Sequence, residues 1–371
     1  KGIRTIDIAK PDIKRGDGVG WKYNHFDKGP GLAHLFFNAM VTEDPYPIKG
    51  WIAMRHDPFS CMPDPQKQQE YFDKLDLLVS IDTHYSEFGW YSDVILPECT
   101  YLERDNPICV QKGPKPRLAV RRKAIDPETD TKPSWEIFKE LADRLDMKDY
   151  FPFASIEEFW KWQLEPTGYS IEDFEEKGFV ALTEEQVMFD PEQLDGRFKT
   201  PSGKIEIISK KLSDAGLPSL KEYESPIRPP RGMFRLIYGR TAVHSHGHTT
   251  NNPLLNELMP RNSLWINVKS AASLGIAHGD LVDVVSEDES YCGTVHANVV
   301  EYIHPDAVYT LHGFGKEIPR QTRSFHAGVS DQKLMKNKLD DWDQAGGGIN
   351  LCQAFVAVRR SVKNPQRRVE L

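Results

Sequence analysis

The stretch from Leu264 to Gly315 most limits how this chain can fold. Four short β-branched or apolar runs, Leu264–Val268, Leu281–Ser286, Thr294–Val300 and Ala307–His312, are punctuated by Gly, Asp and Pro. A brief helix at Ser270–Leu274, closed by Gly275, and the polar turn His278-Gly279-Asp280 lie between the first two. Short strands at such spacing predict a small closed β-barrel, not a helical bundle. Phe234–Tyr238 and Ala354–Arg359 have the same character and extend it on either side. The last run of the stretch opens into the loop His312-Gly313-Phe314-Gly315.

Upstream the pattern changes. Leu32–Val41 predicts a helix and Trp51–Arg55 a short strand. Asp64-Pro65 then has the form of a helix cap followed by proline in the first turn. The helix Gln66–Lys74 leads into Leu75–Ile81, an apolar run suited to a strand buried on both faces of a parallel sheet. In open α/β sheets ligands sit beyond the carboxyl ends of strands, which singles out the loops His56–Ser60 and Asp82-Thr83-His84. Asp82 could accept hydrogen bonds from ribose hydroxyls or a guanine edge, or it could cap the next helix. The residues alone leave both open.

The middle of the chain is less regular. Six cations between Lys112 and Lys123 form a basic cluster that reads as a solvated face. Helix Trp135–Leu145 shows an apolar stripe at Phe138, Leu141, Ala142 and Leu145, expected to be core. Ser155…Glu158 and Thr183…Gln186 have capping-box spacing, with Ser170…Asp173 a related variant, and Phe159, Trp160, Trp162 and Phe174 are expected to pack this acidic region. Phe198–Ser209 reads as a turn and a strand with Ile205 and Ile207 on one side. Pro226, Pro229 and Pro230 mark the linker into the barrel.

The segment Gly239–Asn252 concentrates polar chemistry. His244, His246 and His248 would share one face of an extended strand and could collect a metal, but no Cys or acid closes such a shell nearby. An anion cradle fits better: Arg240 offers a planar fork for phosphate, and the imidazoles, Thr249, Asn251 and Asn252 add donors. Beyond the barrel loop, Lys316, Arg320 and Arg323 are placed to face a substrate funnel. The Gly346-Gly347-Gly348-Ile349-Asn350 turn would let backbone approach a ligand closely.

Composition excludes some functions. The net charge of the 371 residues is -8, which disfavours nucleic-acid binding. No apolar run approaches the roughly 20 residues that span a bilayer. Cys61, Cys99, Cys109, Cys292 and Cys352 include no C-x-x-C pair, so they are expected as reduced, mostly buried thiols, and no metal site follows from their spacing. The chain opens at Lys1 without a targeting signal and reads like the later half of a longer polypeptide.

Several of these segments resemble the molybdopterin oxidoreductases of the dimethyl-sulfoxide-reductase superfamily. The resemblance rests on the "A…LGI..GD.V.V" barrel core, on "DTHYSEFGWYSDVILPECTYLERDN" with Asp93 and Pro97 as markers, on the T-P-x-G-K segment at Thr200, and on the R…H.H.xT.NNP pattern from Arg240. "RLAVRRKAIDPETDTKPSWEIFKELADRL" is similar to catalytic subunits of polysulfide and thiosulfate reductases. Where the family commonly has Asn-Pro, this chain has Asp57-Pro58.

That resemblance implies an α/β fold in which part of a parallel-sheet nucleotide-binding domain (residues 1–110) and a helical connecting region (111–230) precede a double-psi-like six-stranded barrel (231–371). It implies molybdenum or tungsten bis-molybdopterin guanine dinucleotide as cofactor. Asp82, Thr83, His84, Arg240, His244, His246, Thr249, Asn251, Asn252, His312, Gly313, Phe314 and Asn350 are then its contacts, with His312 and Arg320 placed to hold the negative charge of substrate; no metal ligand falls in this chain. It further implies a 4Fe-4S cluster in an N-terminal half, an iron–sulfur electron-transfer subunit, a membrane anchor subunit, a small inorganic sulfur substrate and a periplasmic location. A respiratory arsenate or other oxyanion reductase, and a cofactor-free scaffold of an electron-transfer complex, are the alternatives.

Overall fold

The computed structural model describes all residues except 1, 8–11, 27–30, 184–197, 199, 221, 337–341, 350 and 363–371. Helix α1 (Ala33–Thr42) is followed by strand β1 (Gly50–Met54), a turn of helix α2 (Pro58–Cys61), α3 (Pro65–Phe72), β2 (Leu77–Asp82), α4 (Glu87–Tyr91) and β3 (Val94–Pro97). The three strands form a parallel sheet in the order β1-β2-β3. Asp64 caps α3 as its sequence signalled, accepting from Lys67 N at 3.3 Å. The helices pack one aromatic cluster, in which Phe37, Tyr71, Phe72 and Phe88 are buried.

Strands β4 (Cys109–Gln111), β5 (Arg117–Ala119) and β6 (Phe179–Ala181) make a small antiparallel sheet beside α5 (Ser134–Arg144) and α6 (Ile156–Leu164). Ser155 caps α6 by accepting from Glu158 N at 3.3 Å. Gln186 lies outside the described residues. The expected aromatic packing is present, with Phe159, Trp160 and Phe174 buried and Trp162 partly buried against them. On α5 Ala142 is buried as expected and Ile137 joins it, while Phe138 and Leu141 are half-buried. Leu145 departs from expectation at 67% exposed, because it falls just past the helix end. The basic cluster is spread among separate partners. Arg117 lies over the Phe179 ring and Arg122 over Trp160, while Lys123 pairs with Asp126.

No strand forms over 200–209, and Ile205 and Ile207 are 71% and 76% exposed. Period-2 alternation alone does not make a strand where no neighbouring strand supplies the ladder. The thiols also depart from expectation: Cys99 is buried, but Cys61, Cys109 and Cys292 are exposed. Cys109 is the first residue of β4 and Cys292 the first of the strand Cys292–Val300, where strand ends meet solvent.

After α7 (Lys210–Asp214), the expected barrel closes. It comprises β7 (Met233–Gly239), β8 (Leu264–Asn267), β9 (Leu281–Ser286), β10 (Cys292–Val300), β11 (Ala307–Leu311) and β12 (Phe355–Arg360), ordered β10-β8-β11-β7-β12-β9. Helices α8 (Pro253–Leu258), α9 (Val268–Ser273) and α10 (Asp331–Leu334) decorate it. Inward residues are aliphatic: Leu236, Leu264, Ile266, Val282, Val284, Val308 and Val356 are at most 1% exposed. Two of the strand pairs, β10 with β8 and β11 with β7, are parallel, and the rest are antiparallel.

The chain divides into two compact units. One comprises residues 1–13, 81–84 and 96–209; the other comprises 14–80, 85–95 and 210–371 and includes the barrel.

Candidate cofactor cavity

Parallel pairing of β7 and β11 is what builds the site. Ala307 registers with Arg235 and Leu311 with Gly239, so both strands end side by side with their carboxyl ends pointing the same way. The pairing continues for one step, as His312 N donates to Gly239 O at 2.9 Å. Two loops therefore leave from neighbouring points, one with Arg240 and the histidines, the other with His312. They touch through backbone at Gly313, whose φ is +91°; a Cβ there would sit 2.5 Å from Gly247 N. Only glycine fits that approach.

Around these strand ends lies a cavity of about 710 Å³, lined by residues Arg235 to Arg240, His246, His312, Gln332 and Cys61. His312 Nδ1 lies 2.7 Å from Asp331 Oδ2, and Asp331 is 1% exposed. The rings of His246 and His312 meet edge to face, with centroids 5.4 Å apart. Desolvation lowers the His246 pKa, and the neighbouring charges of His312, Arg240 and His248 lower it further. The rim thus gathers cationic and N–H donor groups, as an anionic occupant requires. Cys61 contributes a thiol, not a thiolate: burial of its sulfur, then the Asp57 carboxylate, push it up to about 12 although the residue has exposed surface.

The remaining candidate residues are distributed differently. The segment 240–252 is a series of turns, so the three histidines do not line one strand face. His244 turns inward, with Nε2 2.9 Å from Met259 O and its ring edge-on to buried Phe314. Thr249 Oγ1 accepts from Ser245 N at 2.9 Å. Asn251 Oδ1 accepts from Arg323 N, and Asn252 caps α8 through Leu254 N and Leu255 N. These four hold the loop's shape, while Arg240, His246 and His312 line the cavity. Arg320 is exposed, 5.9 Å from the Tyr85 ring centroid. Asp82, Thr83 and His84 belong to the other compact unit, where Asp82 accepts from Thr83 N at 2.7 Å. Asn350 lies outside the described residues.

Lys316 does not face a funnel. It is 4% exposed and bonded to Ser60 Oγ, with Asp57 Oδ2 at 3.4 Å and Glu87 Oε2 at 3.8 Å. Asp57 also accepts from Glu87 N at 3.1 Å and Phe88 N at 3.2 Å, so it caps α4 from a distant loop. Burial alone would raise the Asp57 pKa. Lys316, Ser60 and the two amides outweigh it and hold the carboxyl below its usual range. An Asp-Pro pair in this chain thus serves a buried ion cluster beneath the loop crossing. Asp331 and Gln332 carry no motif and lie 19 and 20 residues beyond His312, which is why sequence reasoning passes over them.

Comparison with known proteins agrees with this geometry. Residues 34–144 match the family described as molybdopterin oxidoreductase, and residues 234–347 match the molybdopterin dinucleotide-binding domain. The chain belongs to the molybdopterin oxidoreductases of the dimethyl-sulfoxide-reductase superfamily. It is 30% identical to the thiosulfate reductase molybdopterin-containing subunit of Salmonella typhimurium over 90% of this chain and 47% of that protein. It is 26% identical to acetylene hydratase of Syntrophotalea acetylenica over 71% of this chain and 37% of that protein. Dimethyl sulfoxide reductase of Escherichia coli is 27% identical over 63% and 32%. The solved acetylene hydratase of Pelobacter acetylenicus shares the fold, with a TM-score of 0.74 at 22% identity, covering 92% of this chain and 48% of that one. The chain spans less than half the length of each of these relatives.

The family's cofactor is a molybdenum-bearing molybdopterin. Its phosphates need N–H and cationic donors, and Arg240, His246 and His312 supply them at the cavity. A cavity of about 710 Å³ is also in the size range of ligand sites. The residues fit the group.

Proposed function

We propose that this chain is part of the catalytic subunit of a molybdenum or tungsten bis-molybdopterin guanine dinucleotide oxidoreductase that reduces thiosulfate, polysulfide or a related sulfur compound in anaerobic respiration. The observation that carries the substrate class is the 30% identity to the thiosulfate reductase subunit, sustained over 90% of the chain. The bound cofactor supplies the electron transfer. The chain's own residues would bind and orient it, with Arg240, His246 and His312 at the cavity, Asp82, Thr83 and His84 toward the nucleotide, and Asn350 toward the pterin. Arg320 would lie along the path of an anionic substrate. Residues 231–371 would be the domain that closes over the cofactor, following a nucleotide-binding portion at 1–110 and a connector at 111–230. The complete enzyme would add a 4Fe-4S cluster in an N-terminal half, an iron–sulfur partner subunit and a membrane anchor, working on the periplasmic side.

The test is metal and nucleotide analysis of native holoenzyme, followed by oxidation of reduced viologen with thiosulfate, polysulfide, arsenate or dimethyl sulfoxide. Molybdenum or tungsten with released GMP, and turnover with a sulfur compound, is the expected result. Turnover with arsenate alone would overturn the substrate class, and absence of both metal and GMP would overturn the cofactor reading in favour of a scaffold.

A further inference from the structure

His312 reaches the cavity with one ring nitrogen engaged. Nδ1 lies 2.7 Å from Asp331 Oδ2. Nε2 makes no hydrogen bond among the described residues and is not one of their buried polar atoms lacking partners, so it opens onto the cavity that the side chain lines. The groups around the Asp331 carboxylate all donate to it. Gly313 N reaches Oδ1 at 3.3 Å, and Gln332 Nε2 reaches Oδ2 at 2.9 Å. Gln332 is itself 2% exposed, and its Oε1 has no partner. Turning that amide round would set oxygen against oxygen at Asp331, so its orientation is dictated by the carboxylate.

The backbone carrying this carboxylate is tightly held. Ser330 caps α10 through Lys333 N, and Gln332 O accepts from Asp64 N at 3.0 Å. At Gly315, with φ +72°, a Cβ would sit 2.4 Å from Ser330 N. Asp331 therefore cannot drift from His312. A carboxylate accepts but does not donate, so a neutral imidazole facing it must place its proton on Nδ1.

We propose that Asp331 is a positioning residue that fixes His312 in its Nδ1–H tautomer, making Nε2 a hydrogen-bond acceptor for an N–H or O–H of the molybdopterin. The contact rests on the cofactor reading above, whereas the tautomer does not. Replacing Asp331 by Asn would face the donors Gly313 N and Gln332 Nε2 with an amide. Its oxygen would keep Gly313 N at the Oδ1 position, its NH₂ would take the Oδ2 position against the ring, and the Gln332 amide would turn to offer its unpartnered Oε1. Nδ1 would then become the acceptor and Nε2 the proton carrier. That is the wrong-tautomer effect known for buried carboxylate–histidine pairs.

The experiment is two-bond ¹H–¹⁵N correlation spectroscopy of the full-length enzyme labelled at histidine, as oxidised holoprotein and after cofactor removal, with His312→Ala to assign the signal. In wild-type protein the expected spectrum at neutral imidazole has a protonated Nδ1 and a pyridine-like Nε2 in both forms. The Nε2 signal should move upfield by several ppm when molybdopterin is bound. D331N should exchange the two nitrogen patterns and lower pterin and GMP retained per chain at least fivefold, while Q332L keeps the wild-type tautomer. A wild-type Nε2–H tautomer overturns the proposal without recourse to any variant, as does an unchanged pattern in folded D331N. The correct tautomer with no Nε2 shift on binding overturns the cofactor contact. Absence of any pterin from native enzyme is a failure of the cofactor reading, visible separately by GMP analysis.

Discussion

The barrel and the unit built on α5 and α6 hold together in different ways. In the barrel the hydrophobic core is mostly Leu, Ile and Val, and the six-strand ladder pairs the backbone. Its buried members among the described residues include no Phe or Trp but Phe314 and Phe355 near its ends. In the other unit half of the eight core residues are aromatic: Phe153, Phe159, Trp160 and Phe174, with Phe153 and Phe159 stacked at 3.9 Å. There the sheet is only three short strands, and side chains complete the backbone's hydrogen bonding. Gln163 accepts from Ile108 N at 2.8 Å and donates to Ile108 O at 3.1 Å, and Trp160 Nε1 donates to Asn106 O at 2.8 Å. A closed ladder can send its polar groups to the strand ends, where chemistry can use them. An irregular unit must spend them on its own interior.

Three measurements sharpen this contrast. The largest effect is expected from Trp160→Ala, which removes a 1%-exposed ring and its indole donor. It should cost about 3–5 kcal/mol, and hydrogen exchange should quicken across 106–180 while barrel amides keep their protection. Equal quickening in both regions would show that their stabilities are not separate. Next is Lys316→Met, which leaves Asp57 and Glu87 under the loop crossing without their cation. A loss of roughly 3 kcal/mol is expected. The sign of its pH dependence follows from Asp57. Its depressed folded value contributes stability that is full above the unfolded value near ~3.9 and fades as pH falls through the folded one. Without Lys316 the folded value rises toward the unfolded one, so the Asp57 share of the acid decline should be smaller. The urea midpoints of variant and wild type should draw together as pH falls through the wild-type folded value. The smallest effect is expected from Ile207→Ser, at a 76%-exposed position outside any strand. Its melting temperature should match wild type, within about 0.5 kcal/mol. A larger loss would restore the strand that the alternation suggests.

Much of the barrel is legible from the chain because its register is written locally. Alternating aliphatics, Gly275 and the turn at Gly279 place each strand within a residue or two of its observed bounds. Leu145 and Ile205–Ile207 mislead because periodicity says which residues share a face, but not whether anything lies opposite that face. The cavity is half legible. Arg240, His246 and His312 stand in readable motifs, but Asp331, Gln332 and the Asp57–Ser60–Lys316 cluster are joined only by folding across tens to hundreds of residues. Histidines 244, 246 and 248 look alike in sequence. Turns separate them, so that one seals the interior while another meets the cavity.

The contact at Gly313 and Gly247 has an engineering consequence. Two segments more than sixty residues apart share one point where Gly313 admits no side chain against the Gly247 backbone, so they form a single interchangeable part. Transplanting the arginine–histidine segment from a relative, without its companion after β11, would bring together surfaces that were never fitted to one another. Chimeras meant to retune what this cavity holds should exchange both segments at once and leave the barrel strands untouched.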